Sequence, residues 1–182
     1  TGGAKIESGN CSPRENAMKS TPHRHIAAVR HEPIYAPRHD DPYLEAGKPP
    51  QDARCPECGV VFHKGRWTWG PKPKDAISMT CPACLRIHDR FPGGYVTLKG
   101  PFVQAHRDEL KKLVEAREAH EKAEHPLERV MAIGERGGSL EIQTTGNHLA
   151  RAIGNAVRAA YDGSLKVRYE ADENLVRAVW TR

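Results

Sequence analysis

Four cysteines in two pairs are the residues best placed to do chemistry. Two residues separate Cys55 from Cys58 and Cys81 from Cys84, and 22 residues lie between the pairs. A CxxC segment puts two thiols on one tight turn, near enough to bind one ion. Pro56 and Gly59 suit the first turn, and Pro82 suits the second. Four soft thiolates favour tetrahedral zinc at ~2.3 Å. Rubredoxin-like iron takes the same ligands and fits the same spacing. Four thiolates close the coordination shell, so one ion held there is structural and has no position for a catalytic water. A redox dithiol needs one pair in a thioredoxin-like setting and leaves the second pair unexplained. His63 and His88 lie beside the knuckles, either as surface residues or as substitute ligands. Cys11 stands alone in a polar segment.

The loop between the knuckles is the second feature. From Gly59 to Lys74 it carries Lys64, Arg66, Lys72 and Lys74 and no acidic residue. Phe62, Trp67 and Trp69 are interleaved with these cations. Cations offset phosphate charge, and flat rings stack on unpaired bases. The loop is therefore expected to contact nucleic acid. The competing expectation is that Trp67 and Trp69 pack around the metal or onto a second domain. A further anion site is expected near His148 and Arg151, three residues apart after Thr144, Thr145 and Asn147. Backbone N–H groups at a helix start favour an anion. Ordinary capping explains the same residues.

No nucleophile elbow, phosphate-binding loop, HExxH or paired-carboxylate motif is present. The expectation is a protein that is not an enzyme. His120 and Glu124 are one turn apart, as are Glu121 and His125, but a charged helix produces such spacings by chance.

These groups need elements to hold them. The 182-residue chain carries 28 Lys+Arg and 23 Asp+Glu, a net charge of +5, and 38% apolar residues. That apolar share is below the roughly 45–50% of globular chains, so part of the chain is expected to lack a core. Residues 1–52 hold seven prolines and little apolar periodicity. They are expected to form a disordered tail, with Ile26 to His31 able to turn helical on a partner. No apolar run approaches the ~18 residues that span a bilayer. The first residues show no apolar signal segment. A cytoplasmic protein with no membrane partner is the expectation.

Residues 53–90 are expected to be a zinc ribbon, with the metal replacing an absent core. Residues 94–182 are expected to be a ferredoxin-like α/β domain of order β-α-β-β-α-β-β. Its strands are Tyr95 to Lys99, Val130 to Ile133, Leu140 to Gln143, Leu165 to Tyr169 and Val176 to Trp180. A first helix runs from Val103 to about Glu124, with a thin stripe of Val103, Leu110, Leu113 and Val114. A second places Leu149, Ile153, Ala156, Val157 and Ala160 on one face and closes at Gly163. Arg136-Gly137-Gly138 reads as a hairpin turn. The fold class is α+β, with helices on one face of a mostly antiparallel sheet.

The runs CPECGVVFHKGRWTWG, CPACLRIHDRFPGGYV and TTGNHLARAIGNAVRAAY together resemble a group of small bacterial proteins termed Nmd3-like. The resemblance extends over about residues 38–182 and includes HDDPYLEAGKPP. It implies a zinc-binding factor of the large ribosomal subunit, with Cys55, Cys58, Cys81 and Cys84 as its knuckles. Nmd3 proteins have more CxxC pairs and further subunit-binding domains, so nuclear export is not implied. The expected function is a ribosome-associated factor that binds ribosomal RNA and acts in ribosome assembly, stability or mRNA decay. Its partners would be the large subunit, its RNA and ribosomal proteins. The alternative is a protein-interaction adaptor whose zinc ribbon is purely structural.

Overall fold

In the computed structural model, residues 1–2, 41–43, 47–170 and 174–182 are described. Most of the expected disordered tail, with Cys11 and Ile26 to His31, lies outside the described residues. Of that segment's described residues, Asp41, Gly47 and Pro49 are buried, whereas Thr1, Gly2, Pro42, Lys48, Pro50 and Gln51 are exposed.

The cysteine module is built from four short strands and a helix. They are β1 (Ala53–Arg54), β2 (Val61–His63), β3 (Arg66–Thr68), β4 (Ile77–Ser78) and α1 (Pro82–Asp89). The sheet order is β3-β2-β1-β4, with β1 and β4 parallel. Lys64 and Gly65 join β2 to β3, both at positive φ. That is the backbone a two-residue hairpin turn requires, because its twist matches the strands. Helix α1 is not anticipated by periodicity. It starts because Cys81 is its N-cap and Pro82 occupies the first turn, where a missing N–H costs nothing. It stops at Arg90, which adopts the left-handed conformation.

The second unit of structure is a five-stranded sheet with helices. It comprises β5 (Gly94–Lys99), α2 (Pro101–Ala105), α3 (Arg107–Glu124), β6 (Val130–Arg136), β7 (Ser139–Thr144), α4 (Asn147–Tyr161), β8 (Ser164–Glu170) and β9 (Leu175–Thr181). The class is α+β, as composition and patterning imply. The single helix expected over Val103 to Glu124 is broken at His106. Phe102 explains the break. Its ring stacks on His106 at 4.0 Å and also meets Tyr161 and Trp180, so α2 is drawn onto the sheet separately.

The sheet order is β6-β7-β5-β9-β8. Three pairings are antiparallel, and β5–β9 is parallel. In a ferredoxin-like sheet the strand after the second helix would lie beside the first strand. Here that strand, β8, is at the edge, and β9 is inserted between it and β5. Burial explains the exchange. The β9 run LVRAVWT buries Leu175, Val176, Ala178 and Trp180, whereas SLKVRYE of β8 buries none of its residues fully. The apolar strand takes the central place and the polar one takes the edge.

One core joins these elements. Val96, Leu98, Leu140, Ile142, Val176, Ala178 and Trp180 rise from the sheet to meet Leu110 and Val114 of α3 and Leu149, Ile153 and Val157 of α4. Leu113 is only partly buried, and Ala160 is exposed. On α4 the buried stripe instead includes Ala150, Ala152 and Gly154. The described residues from Asp41 onward belong to a single compact unit, cysteine module and sheet together. No helix among the described residues is long and apolar enough to cross a membrane.

Candidate metal centre and its surroundings

Each pair of cysteines is positioned by a different local device. At the first knuckle the Gly59 N–H donates to Cys55 O at 3.0 Å, and the Cys55 N–H donates to Val60 O at 2.8 Å. Gly59 has φ +77°, a conformation that favours glycine. At the second knuckle Cys81 occupies the N-cap position of α1 and Cys84 lies in its first turn. The helix start therefore places partial positive charge beside both thiols. Gly47 closes the module from outside: a Cβ there would meet Pro82 Cγ at 2.1 Å, so the chain can cross α1 this closely only as glycine.

The four sulfurs converge. Cys55 Sγ lies 3.8 Å from Cys84 Sγ, and Cys58 Sγ lies 3.7 Å from Cys81 Sγ. All four lie within 4.8 Å of one another. Zn–S bonds of ~2.3 Å in a tetrahedron put sulfurs about 3.8 Å apart, so the donor set fits one such ion. Cys55, Cys81 and Cys84 are buried and Cys58 is half-buried. Beyond the cysteines themselves, the cluster contains only Val60 and Ala83 as buried members, with Trp67 and Leu127 packed against it. So small a cluster around the sulfurs suits a module in which a metal would be the main tie.

Arg129 supplies the electrostatic surroundings, and sequence reasoning does not find it. It precedes β6, is buried, and donates from Nη1 to Cys84 Sγ at 3.5 Å and from Nε to Pro126 O at 3.0 Å. No carboxylate among the described residues pairs with it. Burial pushes the Cys58 thiol up, but Arg129 and the Val60 N–H outweigh that and bring it down to about 7. Burial, with charge on Cys58 and Cys55, raises Cys81 to about 12 against the lowering effect of the Cys84 N–H. Cys84 is also raised, first by burial and then by the Cys81 charge. The crowded thiols thus resist ionising together unless a cation is present.

The two tryptophans of the loop are engaged in packing. The Trp67 indole N–H donates to Gly47 O at 2.8 Å, and its ring meets Phe62 edge-on at 5.5 Å. The Trp69 N–H donates to Lys122 O at 2.6 Å, at the end of α3. Both indole N–H groups thus have packing partners, in line with the competing expectation of packing. Trp67 fixes the chain before the module, and Trp69 fastens the module to the helix, although Trp69 remains 40% exposed. Changing Trp69 to Ala should remove about 1 kcal/mol of docking. Amide exchange should then speed up over residues 65–74 while β5–β9 stay protected; unchanged exchange would show that the indole does not hold the loop.

The four cations fare differently. Lys64 is at the hairpin tip, Arg66 pairs across the strands with His63, and Lys72 and Lys74 follow in the loop. All four are exposed. None is in an ion pair among the described residues. His63 and His88 are not drawn into the sulfur cluster: His63 Nδ1 contacts Asp52 at 2.8 Å, and His88 Nε2 contacts Glu57 at 3.0 Å.

The start of α4, where an anion site is expected, is built differently from that expectation. No side chain caps that helix from Thr144 or Thr145. Thr144 Oγ1 donates to Gly146 O, and Thr145 Oγ1 donates to Leu127 O while accepting the Arg129 N–H. Glu128 provides the anion instead: its Oε2 accepts the Leu149 N–H at 2.9 Å. Burial pushes the Glu128 carboxyl up, opposed by the Leu149 N–H and by His148. A second carboxylate, the buried Glu121, meets His148 Nε2 at 3.0 Å. A phosphate approaching His148 and Arg151 would face both acids.

One further cluster escapes sequence reasoning. Asp41 accepts from Arg86 Nη2 at 2.5 Å, Asn174 Nδ2 at 3.1 Å and the Tyr43 N–H at 3.0 Å. The Arg86 guanidinium lies 4.5 Å from the Tyr43 ring centre. This holds the chain before the module against α1 and the β8–β9 end of the sheet. Its one sequence signal is the isolated run HDDPY.

No family model, no curated protein and no solved structure matches this chain.

Proposed function

We propose that this protein is a non-enzymatic zinc-ribbon factor that binds RNA through the basic hairpin of its cysteine module. The observation that carries this reading is the placement of Lys64, Arg66, Lys72 and Lys74. All four are exposed and unengaged by acids among the described residues, on a loop whose two ends are tied to the metal-binding knuckles. A rigid base keeps cations pointing at phosphates without a further entropy cost of ordering the loop. Zinc would be held by Cys55, Cys58, Cys81 and Cys84 in a closed shell, and its part is structural. The resemblance to Nmd3-like proteins makes ribosomal RNA of the large subunit the preferred target, in the cytoplasm. With both indoles engaged elsewhere, contact is to the backbone and discrimination between sequences is weak.

The test is sedimentation of the tagged protein through a lysate gradient at low and high salt. Wild-type protein should travel with the large subunit, and less so as salt rises. The variant with Lys64, Arg66, Lys72 and Lys74 all changed to Ala should stay near the top. With purified ribosomal RNA its log K against log salt slope should fall by up to about 3, at ~0.7 for each phosphate no longer neutralised. Unchanged sedimentation and slope would remove the hairpin as the RNA site.

One observation favours the adaptor reading. Ile77, Ile87, Phe91 and Trp69, all on or beside the cysteine module, are large exposed apolar side chains. An association that survives both nuclease treatment and the quadruple substitution would favour a protein partner on that surface.

A further inference from the structure

The junction of α3 and α4 gathers metal-binding side chains that the cysteine site does not use. Glu121 and His125 are one turn apart, His125 being the residue that ends α3, with its N–H donating to Glu121 O at 2.7 Å. On a charged helix that spacing alone says nothing. Packing of α4 against α3 adds His148, the second residue of α4. One donor atom from each of the three residues then lies within 4.8 Å of the other two. We propose that Glu121, His125 and His148 form a second metal site, which takes a divalent transition ion such as Zn2+.

The geometry supports coordination in four ways. First, the Glu121 carboxylate is buried and already oriented: Oε1 holds Arg117 Nη2 at 2.6 Å, which leaves Oε2 facing His148. Second, His148 Nε2 and Glu121 Oε2 are 3.0 Å apart. Two ligands at ~2.0–2.1 Å from one tetrahedral ion are about 3.4 Å apart, so a shift of a few tenths of an ångström opens this pair to an ion. Third, the His125 and His148 rings are 5.7 Å apart and close to perpendicular at 76°, and both are exposed, so an ion has a path in. Fourth, two imidazoles and a carboxylate are donors that suit zinc and its neighbours better than calcium or magnesium.

The surrounding charges are of both signs. Arg117 is the cation that competes for Glu121, and it engages the other oxygen. Glu128 lies within electrostatic reach of His125, His148 and Glu121 and adds a negative field. Three protein donors leave a tetrahedral ion one position for water or another oxygen ligand, unlike the closed shell of four thiolates. The ion would join the end of α3 to the start of α4, beside the carbonyl on which Trp69 docks. The site does not depend on the RNA-binding reading.

The experiment is a calorimetric titration of the full chain, free of any histidine tag, with Zn2+ after the cysteine site has been loaded with one ion. A second event of one ion per chain is expected. The double variant His125→Ala/His148→Ala should keep the first ion and weaken the second by about 100-fold or more, beyond the 10–100-fold typical of altering a ligand's hydrogen-bond partner. Both rings are exposed, so their removal leaves the core intact. His106→Ala, which removes a histidine paired with Glu109, should leave both events unchanged. With Co2+ as the second ion, the added absorption should lack thiolate charge-transfer bands. Absence of a second event in the wild type, or a second event that survives in the double variant, would overturn the proposal.

Discussion

Cys81→Ser should abolish metal binding at the four-thiol site and unfold the cysteine module while leaving the five-stranded sheet folded. Cys81 stands at the N-cap position of α1 without a side-chain cap hydrogen bond, and its Sγ lies 3.7 Å from that of Cys58 across the cluster. Serine is a favoured N-cap residue, so the substitution removes the thiol without harming the helix start. A serine hydroxyl stays protonated and is a poor match for a soft ion, so three thiolates remain. Structural zinc contributes roughly 10–16 kcal/mol of apparent binding free energy in isolated fingers, and that energy is folding energy. The module has little to set against its loss, since the apolar cluster around the sulfurs is only Val60 and Ala83, and Ala53, Val61 and Phe62 add few further buried side chains. The sheet keeps its own core of Leu98, Leu110, Ile142, Ile153 and Trp180. Amide exchange should therefore become fast over residues 47–91 and remain slow in β5, β7 and β9. Removing metal from the wild type with a chelator should reproduce the pattern. A Cys81→Ser protein that retains its metal against the same chelator, or keeps residues 47–91 protected, would show that the thiol cluster is not what holds the module.

The selective outcome expected there reflects what a sequence can and cannot display. The four-cysteine cluster is legible because both knuckles are local and four like thiols have few other uses. The sheet elements are legible because Leu140 to Gln143 and Leu165 to Tyr169 alternate and α4 carries a helical stripe. The order of strands is not, because β8 and β9 are both plausible neighbours for β5. The choice falls on total burial, which only the assembled sheet determines. Helix α1 is hidden because it is short and nucleated by the knuckle. The tryptophans show the limit most clearly. Their spacing and neighbours are equally suited to stacking or packing, and the carbonyls of Gly47 and Lys122 that receive their N–H groups are distant in the chain. Glu121 reads as one more solvated acid on a charged helix, yet it is buried against Arg117 and His148. Nothing local distinguishes it.

Arg129 is of the same kind, and its substitution should have an effect whose sign depends on the metal. The guanidinium is buried, and the group it reaches is the Cys84 sulfur at 3.5 Å. A divalent ion with four thiolates carries a net charge of about −2, which a buried cation partly offsets. Without the ion Cys81 and Cys84 are held up by burial and only Cys58 is brought down to about 7, so the buried arginine keeps at most a partial counterion. Arg129→Met preserves the length of the apolar stem and removes the charge. In the metal-loaded protein it should cost about 3–5 kcal/mol, as expected for leaving one member of a buried pair alone. Metal affinity should fall accordingly by about two to four decades. In the metal-free protein the same change should be neutral or stabilising, because the desolvated charge has gone. Arg129→Lys should lie between the two, since one ammonium cannot hold Pro126 O and the thiolates in a planar fork. Urea unfolding with and without zinc measures all four corners of this cycle. Equal losses in both states would mean that Arg129 acts by packing alone. A loss confined to the loaded state makes Arg129 the counterion that couples the cysteine module to the strand it precedes.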